Sequence, residues 1–384
     1  MSDPSVLTLV LPGALPSAPI AAELARQLEA PDGPAPTLVQ WLRRARVVQA
    51  AFDPDDAGCT ATEAWFFARA GFASGHAGLR PGAALASLLV PDEAAAQAAE
   101  PVWVAELAHV QVGRDGLVLT DPGGLRVDAA ESAALLDSAR GLFDEAGFGV
   151  EPAAPGRWRV RPPSGVGVPA ATPAVVAGTG LDRWWPRDAG ARPWRRLVNE
   201  IQMTWHEHPV NLDREARGEV AVNGLWLHGG APAWTPRWQP APARLVGGPP
   251  WLRALAGRAG LPWSPAGASA VDVSAASVPP VHDPAAHVPA CAWEPGTIAA
   301  LPDLDVPCRD AAWAEWLDAL RRLQRDCFAP LARRQAAGEL AAIELVLPAA
   351  QRIVTARIDR RPALLRWLPA PRHDWKTWWL RPAS

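Results

Sequence analysis

An α/β core interrupted by a small α+β unit is the fold class this sequence predicts, and three observations predict it. Apolar strand-like runs and amphipathic helical stretches mix at both ends of the chain. From Pro101 the pattern changes to two strands around a turn, one helix and one more strand. At 384 residues the chain also exceeds the ~100–200 of one domain. The expected boundaries are residues 1–100 and 164–384 for the core and 101–163 for the insert.

The elements follow in order. Val6–Val10 reads as a short buried strand. A helix runs from about Ser17 to Leu28, with Ser17 as its N-cap and Pro19 in the first turn, and a second runs through Leu38, Leu42 and Val47. Glu63–Ala70 is a third. In the insert, PVWVAELAHVQV and LVLT flank the turn at 113–116. Asp128 is placed to cap a helix over Ala129–Ala146, and Arg157–Val160 closes the unit as a strand. Pro162–Pro173 reads as a linker. Helical pattern returns at Pro193, a strand covers Val222–His228, and Pro249–Ala259 is a helix stopped by Gly260. Ser264–Pro289 reads as an extended Pro-rich loop. Asp310–Asp326 carries Trp313, Trp316, Leu317, Leu320 and Leu323 on one helical face, with Asp310 as its cap. Glu339–Leu347 and Arg352–Ile358 form a hairpin pair.

Composition excludes several functions. Hydrophobic residues make up 49%, enough for a sizeable core, and the net charge of −3 argues against nucleic acid as a partner. Cys59, Cys291, Cys308 and Cys327 show no CxxC pairing, so reduced thiols are expected. The start, MSDPSVLTLVLPG, lacks a basic region and is cut by Pro12, unlike a signal peptide. No apolar run approaches the ~20 residues of a spanning helix. The expectation is a soluble cytoplasmic protein with no membrane partner. Tyr is absent and Lys376 is the single lysine, so a catalytic Tyr is excluded and any phosphate-binding Lys must be Lys376.

Polar chemistry concentrates in 199–231, NEIQMTWHEHPVNLDREARGEVAVNGLWLHGGA. On a helix from Trp194, the residues Trp194, Leu197, Val198, Ile201 and Trp205 share one face, while Arg195, Asn199, Gln202 and His206 share the opposite one. That polar stripe either faces water or lines a cleft. His206 and His208 are two apart and point about 200° from each other on a helix, so they cannot chelate one ion; no metal is expected there. Pro209 opens a second helix in which Arg214 and Arg217 either form surface ion pairs or hold an anion with their planar forks. A buried Asn223 needs its amide satisfied. His228, Gly229 and Gly230 stand at a strand end, where paired glycines either make a tight turn or let backbone N–H groups approach an anion. No GxGxxG, GxxxxGK[ST] or GxSxG motif is present. The candidate ligand-binding set is Asn199, His206, His208, Asn211, Arg214, Arg217, Asn223, His228, Gly229 and Gly230, with no cofactor and no catalytic residue assigned.

The run NEIQMxxHEHPVNxxREARGxxxVNxLWLHGG resembles the signature of the RpfE-type regulatory proteins of proteobacteria, relatives of the archaeal-type cofactor-independent phosphoglycerate mutase. PVWVAELAHVQVGRDGLVLTDP, WLRALAGRAGLP and DAAWAEWLDALRRLQRDCFAPLARRQAAGEL resemble family segments as well. This chain departs from the pattern at Gly224, where the family carries Ser, and at His228, where it carries an aromatic residue. The resemblance implies an alkaline-phosphatase-like core sheet. It also implies two-metal phosphoryl chemistry, whose ligands are missing. The first strand runs into Pro12-Gly13-Ala14 with no acidic ligand, Pro302-Asp303-Leu304-Asp305-Val306 has no His, and Glu344-Leu345-Val346-Leu347-Pro348 replaces the terminal Asp-His pair. The expected function is a catalytically silent regulatory protein that binds a small anionic ligand, phosphorylated or not, or a protein partner. The alternatives are an active mutase or phosphatase with a rebuilt site using His206 or His228 as carrier, and an interaction module docking through 264–289.

Overall fold

The computed structural model describes residues 6–72, 76, 78–90, 100–113, 116–120, 122–166, 168, 171–185, 187–266, 289–360 and 373–381. In chain order the strands are β1 (Val6–Val10), β2 (Arg46–Ala51), β3 (Val102–Gly113), β4 (Gly116–Thr120), β5 (Gly149–Ala154), β6 (Arg157–Arg161), β7 (Gly224–Ala231), β8 (Arg244–Gly247), β9 (Trp263–Ser264), β10 (Thr297–Ala300), β11 (Ala342–Ala349) and β12 (Arg352–Asp359). The principal helices are α1 (Ala18–Glu29), α2 (Pro36–Leu42), α3 (Ala61–Arg69), α4 (Ala84–Leu88), α5 (Ala129–Glu145), α6 (Pro173–Thr179), α7 (Arg192–Trp205), α8 (Pro209–Ala216), α9 (Pro250–Arg258), α10 (Trp313–Leu323) and α11 (Ala329–Ala337). No helix among the described residues is long and apolar enough to cross a membrane.

The described chain divides into two compact units, one built from residues 6–53, 236–266 and 289–381 and the other from 54–235. The first is a mixed α/β unit. Its sheet runs β2-β12-β11-β1-β10-β8-β9. β1 lies parallel between β10 and β11, β8 extends the parallel set, and β12 returns antiparallel to β11. Every residue of β1 is buried, as a strand covered on both faces requires, with Thr8 the one polar residue in an otherwise apolar run. Helices supply the cover: Leu24 and Leu28 of α1, Trp41 and Leu42 of α2, and Trp316, Leu320 and Leu323 of α10 share one core with Leu7 and Leu9. Lys376 gives its ammonium to Glu29 at 2.9 Å. Together with Arg43, that bond holds the Glu29 carboxyl at about 2.

Three local expectations change here. The second helix stops at Leu42, and Arg46–Ala51, expected to begin as helix, is the edge strand β2 against β12. Asp310 does not cap α10, whose N-cap is Ala312 without a side-chain bond. Ser17 occupies the N-cap of α1 but likewise makes no capping bond. The hairpin pair is present, in register from Ala342–Asp359 to Ala349–Arg352. Of the Pro-rich 264–289 segment, residues 267–288 lie outside the described residues.

The second unit is larger than the expected 101–163. Its sheet runs β4-β3-β6-β5, and β7 pairs with β3 over Val102–Ala108. Because β7 completes an edge of β3 and α7 packs on α5, the helix and strand beyond the expected linker belong here, as do the described residues of 54–100. One face of this sheet buries Leu135, Phe143, Trp158, Trp194 and Trp205 under α5 and α7. The other buries Val104 with Ala86 and Val90, and Ala108 with Val176 and Trp226. Asp128 caps α5 in a full capping box with Glu131, as its spacing predicts.

Candidate functional site

The periodicity of α7 holds. Trp194, Leu197, Val198, Ile201 and Trp205 are buried, and the polar stripe is outside. His206 stands exposed at the helix C-cap. Asn199 and Gln202 line a cleft of about 220 Å³ with Leu119, Trp185, Trp226 and Asp182. The Asp182 carboxylate also accepts the Leu117 N–H at 3.1 Å. This cleft is apolar, with amide and carboxylate groups at its rim. Asp182 is the only charged residue lining it, so it does not suit an anion.

The rest of the sequence-derived set fastens the fold. His208 is the N-cap of α8, its Nδ1 accepting from the Val210 N–H at 3.2 Å, and burial lowers its pKa towards the neutral form that can accept. Asn211 is buried and clamps the segment ahead of β7. Its amide donates to Trp205 and Val222 carbonyls at 2.7 and 2.8 Å, and its oxygen accepts the Val222 N–H. Arg214 is 1% exposed, and its guanidinium donates to the Val220 carbonyl, the Leu125 carbonyl and Glu131 at 2.8, 2.6 and 2.8 Å. It therefore offers no fork to an anion. Arg217 lies outside, paired with Glu131 and Glu219. Asn223 extends the ladder with its side chain, accepting from Val110 N–H at 2.7 Å and donating to Val110 carbonyl at 2.8 Å.

Gly229 and Gly230 do not form an anion nest. They lie inside β7 at a register shift, with φ of +114° and +96°. A Cβ on Gly229 would stand 2.3 Å from the Val102 carbonyl oxygen, and one on Gly230 would stand 2.8 Å from the Trp103 ring. Close backbone approach at a bulge explains both glycines.

His228 is fully buried, and its Nε2 lies 3.0 Å from Glu106 Oε1. Arg157 donates to the other Glu106 oxygen at 3.3 Å. Burial alone would push the Glu106 carboxyl up, but the Arg157 charge and the hydrogen bonds from His228 and Arg157 hold it at about 2. Sequence reasoning missed Glu106 and Arg157. The available signal was a glutamate inside the apolar run VWVAELAHV, since a buried carboxylate needs partners. A carboxyl depressed from 4.5 to about 2 stabilises the folded state above pH 4.5, and that contribution fades as pH falls through 2. Urea midpoints are accordingly expected to separate wild type from Glu106→Gln near neutral pH and to converge between pH 4.5 and 2. A gap independent of pH would show that Glu106 carries no such charge.

At the carboxyl ends of the parallel strands of the first unit, β1 runs into Gly13 at φ +75°, where a Cβ would meet the Leu304 carbonyl at 2.3 Å. β10 leads to Asp303, whose Oδ1 is buried without a hydrogen bond and whose pKa burial raises. Burial also pushes the Cys327 thiol up, and burial with the Asp305 charge pushes Cys308 up to about 11. No group of three His, Cys, Asp or Glu side chains among the described residues is placed to hold a metal ion. Among the described residues, the donor set therefore does not fit a two-metal centre.

No family model matches the chain, and no curated protein matches it. Solved structures similar to it include a cofactor-independent phosphoglycerate mutase from Thermoplasma acidophilum, at 16% identity and a TM-score of 0.39, covering 92% of this chain and 89% of the other. Another is the PH0037 protein from Pyrococcus horikoshii, at 12% identity and a TM-score of 0.43, covering 92% and 87%.

Proposed function

We propose that this chain is a phosphoglycerate-mutase-like protein of the RpfE type that acts by binding a small ligand and not by phosphoryl transfer. One observation carries the reading. Where the parallel strands end, the chain presents Pro12-Gly13 and Gly247-Gly248 beside Asp303 and Asp305, with no three-donor cluster among the described residues. Phosphoryl transfer at two metal ions needs those donors to hold the ions and to generate the attacking group. The motif over 199–231 supports membership of the group, while Asn211, Arg214 and Asn223 within it serve the fold.

The test combines metal analysis with turnover. Protein equilibrated with Mn²⁺ and desalted is expected to retain less than one equivalent of metal and to show no interconversion of 3-phosphoglycerate above background. Stoichiometric metal with turnover abolished by Asp303→Asn or Asp305→Asn would overturn the reading.

A further inference from the structure

β6 carries three arginines on one face of the second unit's sheet. Trp158 and Val160 point into the core under α5 and α7, so Arg157, Arg159 and Arg161 point to the opposite face. Register places their neighbours. Arg157 lies opposite Glu106 on β3, and Arg159 lies opposite Val104, which in turn faces His228 on β7. On the other side Arg159 lies opposite Glu151 on β5.

Both carboxylates on this face are already engaged. Glu106 holds Arg157 and His228. Glu151 accepts from Arg161 at 2.8 Å. Arg159, only 7% exposed, has no hydrogen bond or ion pair among the described residues. One more donor in the same rows, Arg157 Nε, is buried without a partner. Arg159 is largely covered, so water only partly meets its charge, and the orphan Arg157 Nε beside it adds to the cost. Among the described residues, three cations face two occupied carboxylates, so one positive charge has no counter-charge.

We infer that the Arg159 guanidinium, flanked by Arg157, is the receptor for a small oxyanion, the phosphate or carboxylate group of a soluble ligand. Alternate residues of one strand stand ~6.5–7 Å apart on the same face, so one tetrahedral or planar oxyanion can lie between the two guanidiniums. Arginine forks bind such groups through two parallel N–H···O bonds. This rests on the reading that the chain acts by binding, and it moves the anion from Arg214 and Arg217, whose donors serve the fold, to β6.

Thermal unfolding of the full chain at constant ionic strength, titrated with inorganic phosphate, sulfate or acetate, tests the site. Wild type is expected to show a saturable rise of about 3 °C or more with at least one of them, and the effective anion separates tetrahedral from carboxylate chemistry. Arg159→Met is expected to melt higher than wild type in anion-free buffer, because an uncompensated buried charge is gone, and to lose the anion response. A structural arginine would lower the melting temperature when replaced. Should Arg159→Met fail to fold, Arg159→Lys decides, since it keeps the charge without the fork and is expected to bind at least about tenfold more weakly. No response of wild type to any of the three anions, or a response kept by the variants, overturns the site. Mutase turnover would overturn the silent reading and leave this site standing, so the two failures are distinguishable.

Discussion

Replacing Arg214 with alanine is expected to cost about 3–5 kcal/mol of stability, the range for removing one partner from a buried ion pair. The side chain is 1% exposed and joins three segments. Its Nε satisfies the Val220 carbonyl, and its two terminal nitrogens satisfy Leu125 and Glu131. Without it, two carbonyls lose donors and the Glu131 carboxylate, 11% exposed, keeps the Asp128 N–H of its capping box and Arg217 at the surface but loses its buried charge partner. Arg214→Lys is not expected to rescue, because one ammonium cannot reproduce the fork that meets three acceptors. Arg217→Ala is the control: its guanidinium is half-exposed and its loss should be close to measurement error. Urea unfolding of the three variants checks this, and equal midpoints for Arg214→Ala and Arg217→Ala would sink it.

Gly229→Ala is expected to destabilise by roughly 2–5 kcal/mol, combining backbone strain with overpacking. The residue holds φ +114°, a region open to glycine, and its added methyl would stand 2.3 Å from the Val102 carbonyl oxygen and 2.5 Å from Ala86 Cβ. Backbone cannot swing aside as a side chain can. Relief therefore requires β7 to slip against β3 at the existing register shift, disturbing the contact that His228, one row on, makes with Glu106. A change in urea midpoint equivalent to less than about 1 kcal/mol would show that the bulge absorbs the methyl.

Periodicity made much of the fold legible. The buried strand β1, the faces of α7 and α10, the capping box of α5 and the hairpin β11–β12 all follow from spacing and cap chemistry. The edge strand β2 was hidden because Val47 continues a helical spacing from Leu38 and Leu42, while partnership with β12 comes from some 300 residues away. The size of the second unit was hidden for a similar reason, since the pairing of β7 with β3 is non-local. The polar set over 199–231 was legible as a concentration of hydrogen-bonding groups, but its purpose was not. Asn211, Arg214 and Asn223 spend their bonds on backbone carbonyls and amides that no spacing rule reveals. Of the polar side chains in that stretch, Asn199 and Gln202 line the cleft.

The placement of β1 has a consequence for synthesis. Its two neighbours, β10 and β11, come from the last quarter of the chain, whereas the described residues of the second unit form the continuous run 54–235. On the ribosome the inserted unit can close first. The strand VLTLV, by contrast, emerges without either partner and waits on the order of tens of seconds for them at ordinary elongation rates. During that interval an apolar edge with no partner is open to wrong pairing, so the yield of the first unit is set by how the nascent chain is protected before residue 300 is made.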